Sequence, residues 1–168
     1  MTTLGVLAIQ GDFLEHIQIL NRIGVKTEEI RLPEQLDEVD GLIIPGGEST
    51  TIAQLIDIYG FRAYLTRKVE SGMPIWGTCA GMIVIADHLT DHRPEPLHLM
   101  HISVSRNAFG RQVDSFETDL EIDGIPGPPF HCVFIRAPAV NSVEHNVQIL
   151  ASLGEDNPVA VKQNNMLA

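Results

Sequence analysis

Apolar residues along this chain follow two periods. Leu4-Gly5-Val6-Leu7-Ala8-Ile9 and Val39-Asp40-Gly41-Leu42-Ile43-Ile44 are almost unbroken apolar runs, the pattern of strands covered on both faces. Residues 25–30 and Pro74-Ile75-Trp76-Gly77 read as two more strands. Between them the spacing becomes helical: Phe13, Ile17, Leu20 and Ile23 form one stripe, and Ile52, Leu55, Ile56 and Tyr59 another. Asp12 reads as the cap of the first helix and Gly24 as its stop. A third helix is expected over residues 61–70, and the wholly apolar residues 80–86 predict a short buried helix. Helices alternating with apolar strands imply an α/β fold, a mostly parallel central sheet flanked by helices, with its functional loops at the carboxyl ends of the strands.

After Leu89 the pattern changes. Asp91-His92-Arg93-Pro94-Glu95-Pro96 reads as a loop, and residues 101–105, 116–122, 132–136, 147–153 and 158–163 read as strands separated by turn signals such as Asp123-Gly124 and Pro126-Gly127-Pro128-Pro129. These predict antiparallel additions in the C-terminal half. No repeat or composition shift marks a second unit, so residues 1–168 are expected to form a single domain.

Composition narrows the picture further. At 168 residues and 44% hydrophobic content the chain has enough material for a real core, and no run is long and pure enough to span a bilayer. A soluble, cytoplasmic protein is expected, because the N-terminus enters a strand-like run directly and shows no targeting pattern. The net charge of −11 argues against nucleic acid as a partner. Cys79 and Cys132 are expected as free thiols in a reducing compartment. The seven histidines show no zinc-like spacing with cysteines or carboxylates, so no metal is expected. Glu15-His16 is adjacent on the first helix, where neighbouring residues face different directions, and reads as structural or as part of a partner face.

Two stretches suggest chemistry. In Gly77-Thr78-Cys79-Ala80-Gly81 a strand turns sharply into a helix, and small residues flank the cysteine. Such a turn exposes a nucleophile at its tip, and a helix N-terminus should lower the thiol pKa from roughly 8.5. A buried structural cysteine is the alternative. Pro45-Gly46-Gly47-Glu48-Ser49-Thr50 follows the third strand and opens the second helix. It reads either as a cluster of outward N–H groups fit for an oxyanion or as a plain glycine turn capped by Ser49 or Thr50. Both loops fall at strand carboxyl ends, on one edge of the sheet.

Taken with Ala8-Ile9-Gln10-Gly11-Asp12-Phe13-Leu14-Glu15-His16, the run from Arg106-Asn107-Ala108-Phe109-Gly110-Arg111-Gln112 to Glu117, and Phe134-Ile135-Arg136-Ala137-Pro138, these motifs resemble class I, triad-type glutamine amidotransferases. Within that class they resemble the glutaminase subunits of pyridoxal 5′-phosphate synthases. The resemblance implies a flavodoxin-like sheet and glutamine hydrolysis through a Cys79 thioester. It also implies an oxyanion hole from Gly47 and Ala80, and L-glutamine held by Gly47, Glu48, Ser49, Arg106, Ile135 and Arg136. The ammonia would pass to a (β/α)8-barrel synthase subunit, with pyridoxal 5′-phosphate a product of the pathway and no cofactor in this chain. The family's histidine-proline-glutamate sequence, which supplies the base and the residue orienting it, does not occur in these 168 residues. An apolar strand opening at Met166 after an Asn164-Asn165 turn is expected to be the start of a longer one, so the domain reads as truncated at its C-terminal end. Two other readings remain: a related G-x-C-x-G cysteine hydrolase, and a catalytically silent regulatory subunit of the same complex.

Overall fold

The computed structural model describes residues 2–106, 115–154 and 156–168. Residues 107–114, which belong to one of the motifs above, lie outside the described residues. Alternation of strand and helix begins at once: β1 (Thr3–Leu7), α1 (Phe13–Arg22), β2 (Lys26–Ile30), a 3-10 turn (Pro33–Glu38), β3 (Gly41–Ile44), α2 (Ser49–Ile58), α3 (Phe61–Glu70), β4 (Ile75–Gly77) and α4 (Ala80–Ile85). There follow β5 (Ala86–Leu89), β6 (Met100–Ser105), β7 (Phe116–Leu120), β8 (Phe130–Phe134), β9 (Ala139–Val143), β10 (Gln148–Leu153), β11 (Asn157–Gln163) and β12 (Met166–Leu167).

The main sheet has the order β10-β11-β12-β4-β3-β1-β2. Its strands from β12 to β2 pair in parallel, and β11 runs antiparallel to both β10 and β12. β5, β6 and β9 form a second small sheet, and β7 pairs with β8 in a hairpin. The expected α/β architecture with antiparallel C-terminal additions is what the chain adopts. Side chains alternate across the main sheet: Val6 and Ile43 meet Leu20, Phe13 and Ile17 of α1 on one face. On the other, Leu7, Leu42, Ile44 and Ile75 pack against Ile52, Ile56, Phe61, Leu65 and the whole of α4. Both faces are covered, which is why β1 and β3 read as continuous apolar runs.

The sheet order reverses between β1 and β3, since the chain adds β2 on one side of β1 and then places β3 and β4 on the other. Loops that leave the carboxyl ends of strands on either side of such a point diverge and leave a crevice. The loops after β1, β3 and β4 all leave there.

Several local expectations are corrected. Asp12 precedes α1 but its side chain makes no capping bond; its backbone N–H instead donates to the Gly46 carbonyl at 3.0 Å. The apolar run expected to stay helical through Ala86 stops at Ile85. The carbonyls of Val84, Ile85 and Ala86 accept the N–H groups of Leu97, Leu99 and His98, so the chain leaves the helix into β5. A fully apolar run cannot distinguish buried helix from buried strand by period alone. β9 was not expected from the pattern, and β8 begins two residues earlier than residues 132–136 suggest.

Candidate active site

Cys79 stands between β4 and α4 with φ 51° and ψ −106°, a conformation that non-glycine residues seldom adopt. The turn is pinned on both sides of the cysteine: the Thr78 N–H donates to the Ile44 carbonyl at 3.0 Å, and the Gly81 N–H donates to the Thr78 carbonyl at 2.8 Å. Gly81 has no room for a side chain, because a Cβ there would collide with the Ile44 carbonyl oxygen. The small residues therefore serve the close approach of α4 to β3, while the strained dihedrals fall on Cys79 itself. The residue is exposed, and the Ala80 N–H donates to its sulfur.

The expected fall in the thiol pKa is corrected. Although the residue as a whole is exposed, partial desolvation of its thiol pushes the pKa up, the Ala80 N–H opposes this, and of the charges nearby Asp12 raises it while Arg136 lowers it. The N-terminus of α4 acts on the sulfur through the Ala80 N–H, and desolvation outweighs it.

The glycine loop lies beside this turn. A Cβ on Gly46 would sit 3.4 Å from the Cys79 Cβ, so the loop and the cysteine turn are in direct contact. Gly47 has φ 150°, and a side chain there would meet Gln10 Oε1 at 2.6 Å and the Gly11 Cα at 2.8 Å. Gln10 Oε1 accepts the Glu48 N–H at 3.0 Å, tying the β1 loop to the β3 loop. The cap of α2 is Glu48, in place of the expected Ser49 or Thr50. Its carboxylate accepts from the backbone N–H groups of Thr50 (3.2 Å) and Thr51 (2.6 Å) and from the Thr51 hydroxyl (2.9 Å). Burial works against its charge, yet these donors hold its carboxyl below the ordinary range. Ser49, at the first helical position, is buried.

The other expected residues converge in part. Arg106 places Nη2 3.6 Å from Glu48 Oε1 and donates from Nη1 to the Arg93 carbonyl at 2.7 Å. Arg136, with φ 44°, is close enough to stabilise the Cys79 thiolate through its charge. Ile135 precedes it just past the end of β8 and is exposed. A cavity of about 760 Å³ opens on the other side of Cys79, among Trp76, Met82, Phe134, Leu150 and Met166; Gly47, Glu48, Arg106 and Arg136 do not line it. Its apolar wall does not suit a zwitterionic amino acid.

Three participants escaped the sequence reading. Gln10 stood in the sequence only as part of a turn and of the first family motif. The Arg93 loop gave no pattern that tied it to Arg106. His16, expected as a structural or partner-facing residue, reaches the cysteine turn: its Nε2 lies 3.1 Å from Thr78 Oγ1, and its ring meets Trp76 edge-on at 5.8 Å between centroids. The signal was present, since 16 falls at i+3 in the inward stripe of 13, 17 and 20. Among the described residues no cluster of histidine, cysteine and acidic side chains is arranged to hold a metal, and no helix is long and apolar enough to cross a membrane.

Residues 6–168 match the model of the SNO glutamine amidotransferase family. A protein of Herpetosiphon aurantiacus described as pyridoxal 5′-phosphate synthase subunit PdxT is 51% identical over 169 residues, covering 99% of this chain and 89% of the relative. One of Roseiflexus castenholzii with the same description is 49% identical, again over 99% of this chain and 89% of the relative. A crystal structure described as a glutamine amidotransferase superposes with a TM-score of 0.92 at 47% identity, covering 98% of this chain and 87% of the other. The PurLQS structure from Thermotoga maritima, at a TM-score of 0.69 and 14% identity over 99% of this chain and 84% of that one, shares the fold. With Cys79 turned out beside a glycine loop at the crevice of the sheet, and with this match over nearly its whole length, the chain belongs to the SNO glutamine amidotransferase family.

Proposed function

We propose that this chain hydrolyses L-glutamine and supplies the ammonia to a pyridoxal 5′-phosphate synthase subunit, with Cys79 as the nucleophile. The thiolate adds to the side-chain carboxamide carbon, and the tetrahedral oxyanion lies between the backbone N–H groups of Gly47 and Ala80. The C–N bond then breaks, the nitrogen takes a proton and leaves as ammonia, and a thioester remains. Water hydrolyses that thioester to glutamate and restores the thiol. Losing one oxyanion donor typically costs on the order of 100- to 1,000-fold in rate. Glu48 and Ser49 form the mouth of the glycine loop. Arg106 and Arg136 supply planar cations suited to a carboxylate, and Ile135 brings Arg136 toward the sulfur. The partner is a (β/α)8-barrel synthase subunit, pyridoxal 5′-phosphate is its product, and the reaction belongs to the cytoplasm.

The observation that supports this reading most is the contact between the Cys79 turn and Gly46-Gly47, because acyl transfer needs a nucleophile and N–H donors on one side of a carbonyl carbon. The thiol's raised pKa means that a proton acceptor must act on it during the reaction.

The test is ammonia release from glutamine by the full chain with its synthase subunit, for the natural sequence and for Cys79→Ser. Release that depends on Cys79, with a glutamyl adduct on its peptide in quenched samples, supports the proposal. Turnover that survives in Cys79→Ser, or binding of the partner with ammonia at background, overturns it.

A further inference from the structure

The nucleophile turn is held by backbone bonds on two sides, through Thr78 N–H to β3 and Thr78 carbonyl to α4. The third hold on Thr78 is a side-chain contact from a distant helix: His16 Nε2 of α1, 62 positions away in sequence, at 3.1 Å from Thr78 Oγ1. The imidazole is half-buried, and its ring packs edge-on against Trp76 of β4, two residues before Thr78. Helix α1 lies on one face of the sheet and α4 on the other. His16 is thus a strut from one layer to the loop that presents a nucleophile from the other.

We infer that His16 is a positioning residue for the nucleophile, fixing Thr78 through this hydrogen bond so that Cys79 stays in its strained, outward conformation.

The physical need is specific. A residue at φ 51° and ψ −106° relaxes unless its neighbours over-determine it. Relaxation would move the sulfur off the Ala80 N–H, which opposes the desolvation of the thiolate. Trp76 packs edge-on against one side of the ring, and Nε2 lies within hydrogen-bond distance of the hydroxyl. A neutral imidazole satisfies the contact whichever of the two groups donates, and burial lowers the His16 pKa, opposed by the charges of Asp12 and Glu15. His16 needs no contact with substrate for this role. Sequence reasoning had set it aside because it paired the residue with Glu15, its neighbour along the chain.

The inference rests on Cys79 being the group that reacts, and the test is chosen so that it can fail separately from the glutaminase reading. The probe is iodoacetamide, with alkylation of Cys79 and Cys132 followed by peptide mass spectrometry on the full chain; no turnover is required. A net hydrogen bond of ordinary strength corresponds to a change of about tenfold or less. His16→Ala is expected to slow Cys79 alkylation about tenfold, while Cys132 in the same sample reacts at its usual rate and reports an intact fold. His16→Gln, whose amide can reach the same hydroxyl, is expected to recover most of the rate, and His16→Ala combined with Thr78→Val to be no slower than either alone. In the complex with the synthase subunit, His16→Ala lowers kcat for glutamine and leaves KM nearly unchanged. Cys79 alkylation that is unchanged in His16→Ala, additive losses in the double variant, or equal losses in His16→Ala and His16→Gln would overturn the inference. If Cys132 also changes, the Thr78→Val variant decides: a selective loss at Cys79 sustains the inference, and no loss refutes it.

Discussion

Gly81→Ala sets two principles against each other, and the structure decides between them. Gly81 lies inside α4, where replacing glycine by alanine improves helix propensity by about 1 kcal/mol. Its φ is not in the left-handed region, so propensity alone predicts a more stable protein. The added Cβ, however, collides with the carbonyl oxygen of Ile44 at the end of β3. That oxygen is fixed by β3 itself and by the Thr78 N–H at 3.0 Å, and it cannot step aside as a side-chain tip can. Overpacking a tight core costs about 1–3 kcal/mol, and a rigid backbone partner places this case at about 3. The net is a destabilisation of about 2 kcal/mol once the gain in propensity is subtracted. For a chain of this size that lowers Tm by about 4–8 °C. Thermal unfolding by circular dichroism measures it, with urea unfolding as a check. Because Ile44 also anchors the Cys79 turn through the Thr78 N–H, Cys79 alkylation should change in parallel. A Tm equal to or above that of the natural sequence would refute the reasoning, since α4 and β3 would then have space to separate.

Cys79→Ser should cut glutamine turnover by at least about 1,000-fold with the synthase subunit present, whereas Cys132→Ser should leave it within twofold, as a steady-state ammonia assay will show. Glu48→Ala removes the cap of α2 and should lower stability in urea by about 1 kcal/mol at pH 7. Its folded pKa is depressed, so its contribution is present above the ordinary carboxyl range and fades as pH falls through the folded value. Glu48→Gln should accordingly flatten the stability profile between about pH 3 and 5, read from urea midpoints across that window. The thiol of Cys79 is raised, so its alkylation rate in the chain alone should climb with pH without levelling off below the ordinary thiol range; a plateau near neutrality would contradict the dominance of burial. Arg106→Lys should raise the KM for glutamine about tenfold with a smaller effect on kcat, because a point charge replaces a fork.

The parallel half of the fold was legible because both faces of its sheet are covered. β1 and β3 carry unbroken apolar runs, and α3 spans the residues its pattern marked. That the Cys79 and Gly47 loops leave the carboxyl ends of strands followed from the alternation of apolar strands and helices. What stayed hidden depends on contacts between distant positions. Nothing local distinguishes Ile85 from Ala86, since the helix ends where Leu97, His98 and Leu99 claim its carbonyls. Glu48 was read as a substrate ligand, and its capping role emerged only from the aim of its carboxylate at Thr50 and Thr51. The small residues around Cys79 mark a sharp strand-to-helix turn in the sequence, but not the contacts that require them. They are needed because α4 backs onto Ile44, and because a side chain on Gly77 would meet the Gly81 carbonyl carbon and oxygen at 2.7 Å.

The direction of the Cys79 shift has the widest consequence. A helix N-terminus beside a thiol is ordinarily taken as an activating arrangement. Here the helix is one and a half turns long, and the sulfur also faces the Asp12 carboxylate. The Ala80 N–H and Arg136 pull toward thiolate, and burial together with Asp12 pulls the other way and prevails. The turn therefore supplies placement, while desolvation holds the thiol pKa above its ordinary value. A thiol whose pKa is raised in this way carries less thiolate at a given pH, so its alkylation should be slower than that of an ordinary thiol. Arg136 tests the balance. Arg136→Ala removes the stabilising charge from the edge of the site, so the alkylation profile of Cys79 should move to higher pH. Arg136→Lys should restore most of the shift, since only the sign of the charge matters at that range. If Arg136→Ala leaves the profile where it was, the guanidinium does not act on the sulfur.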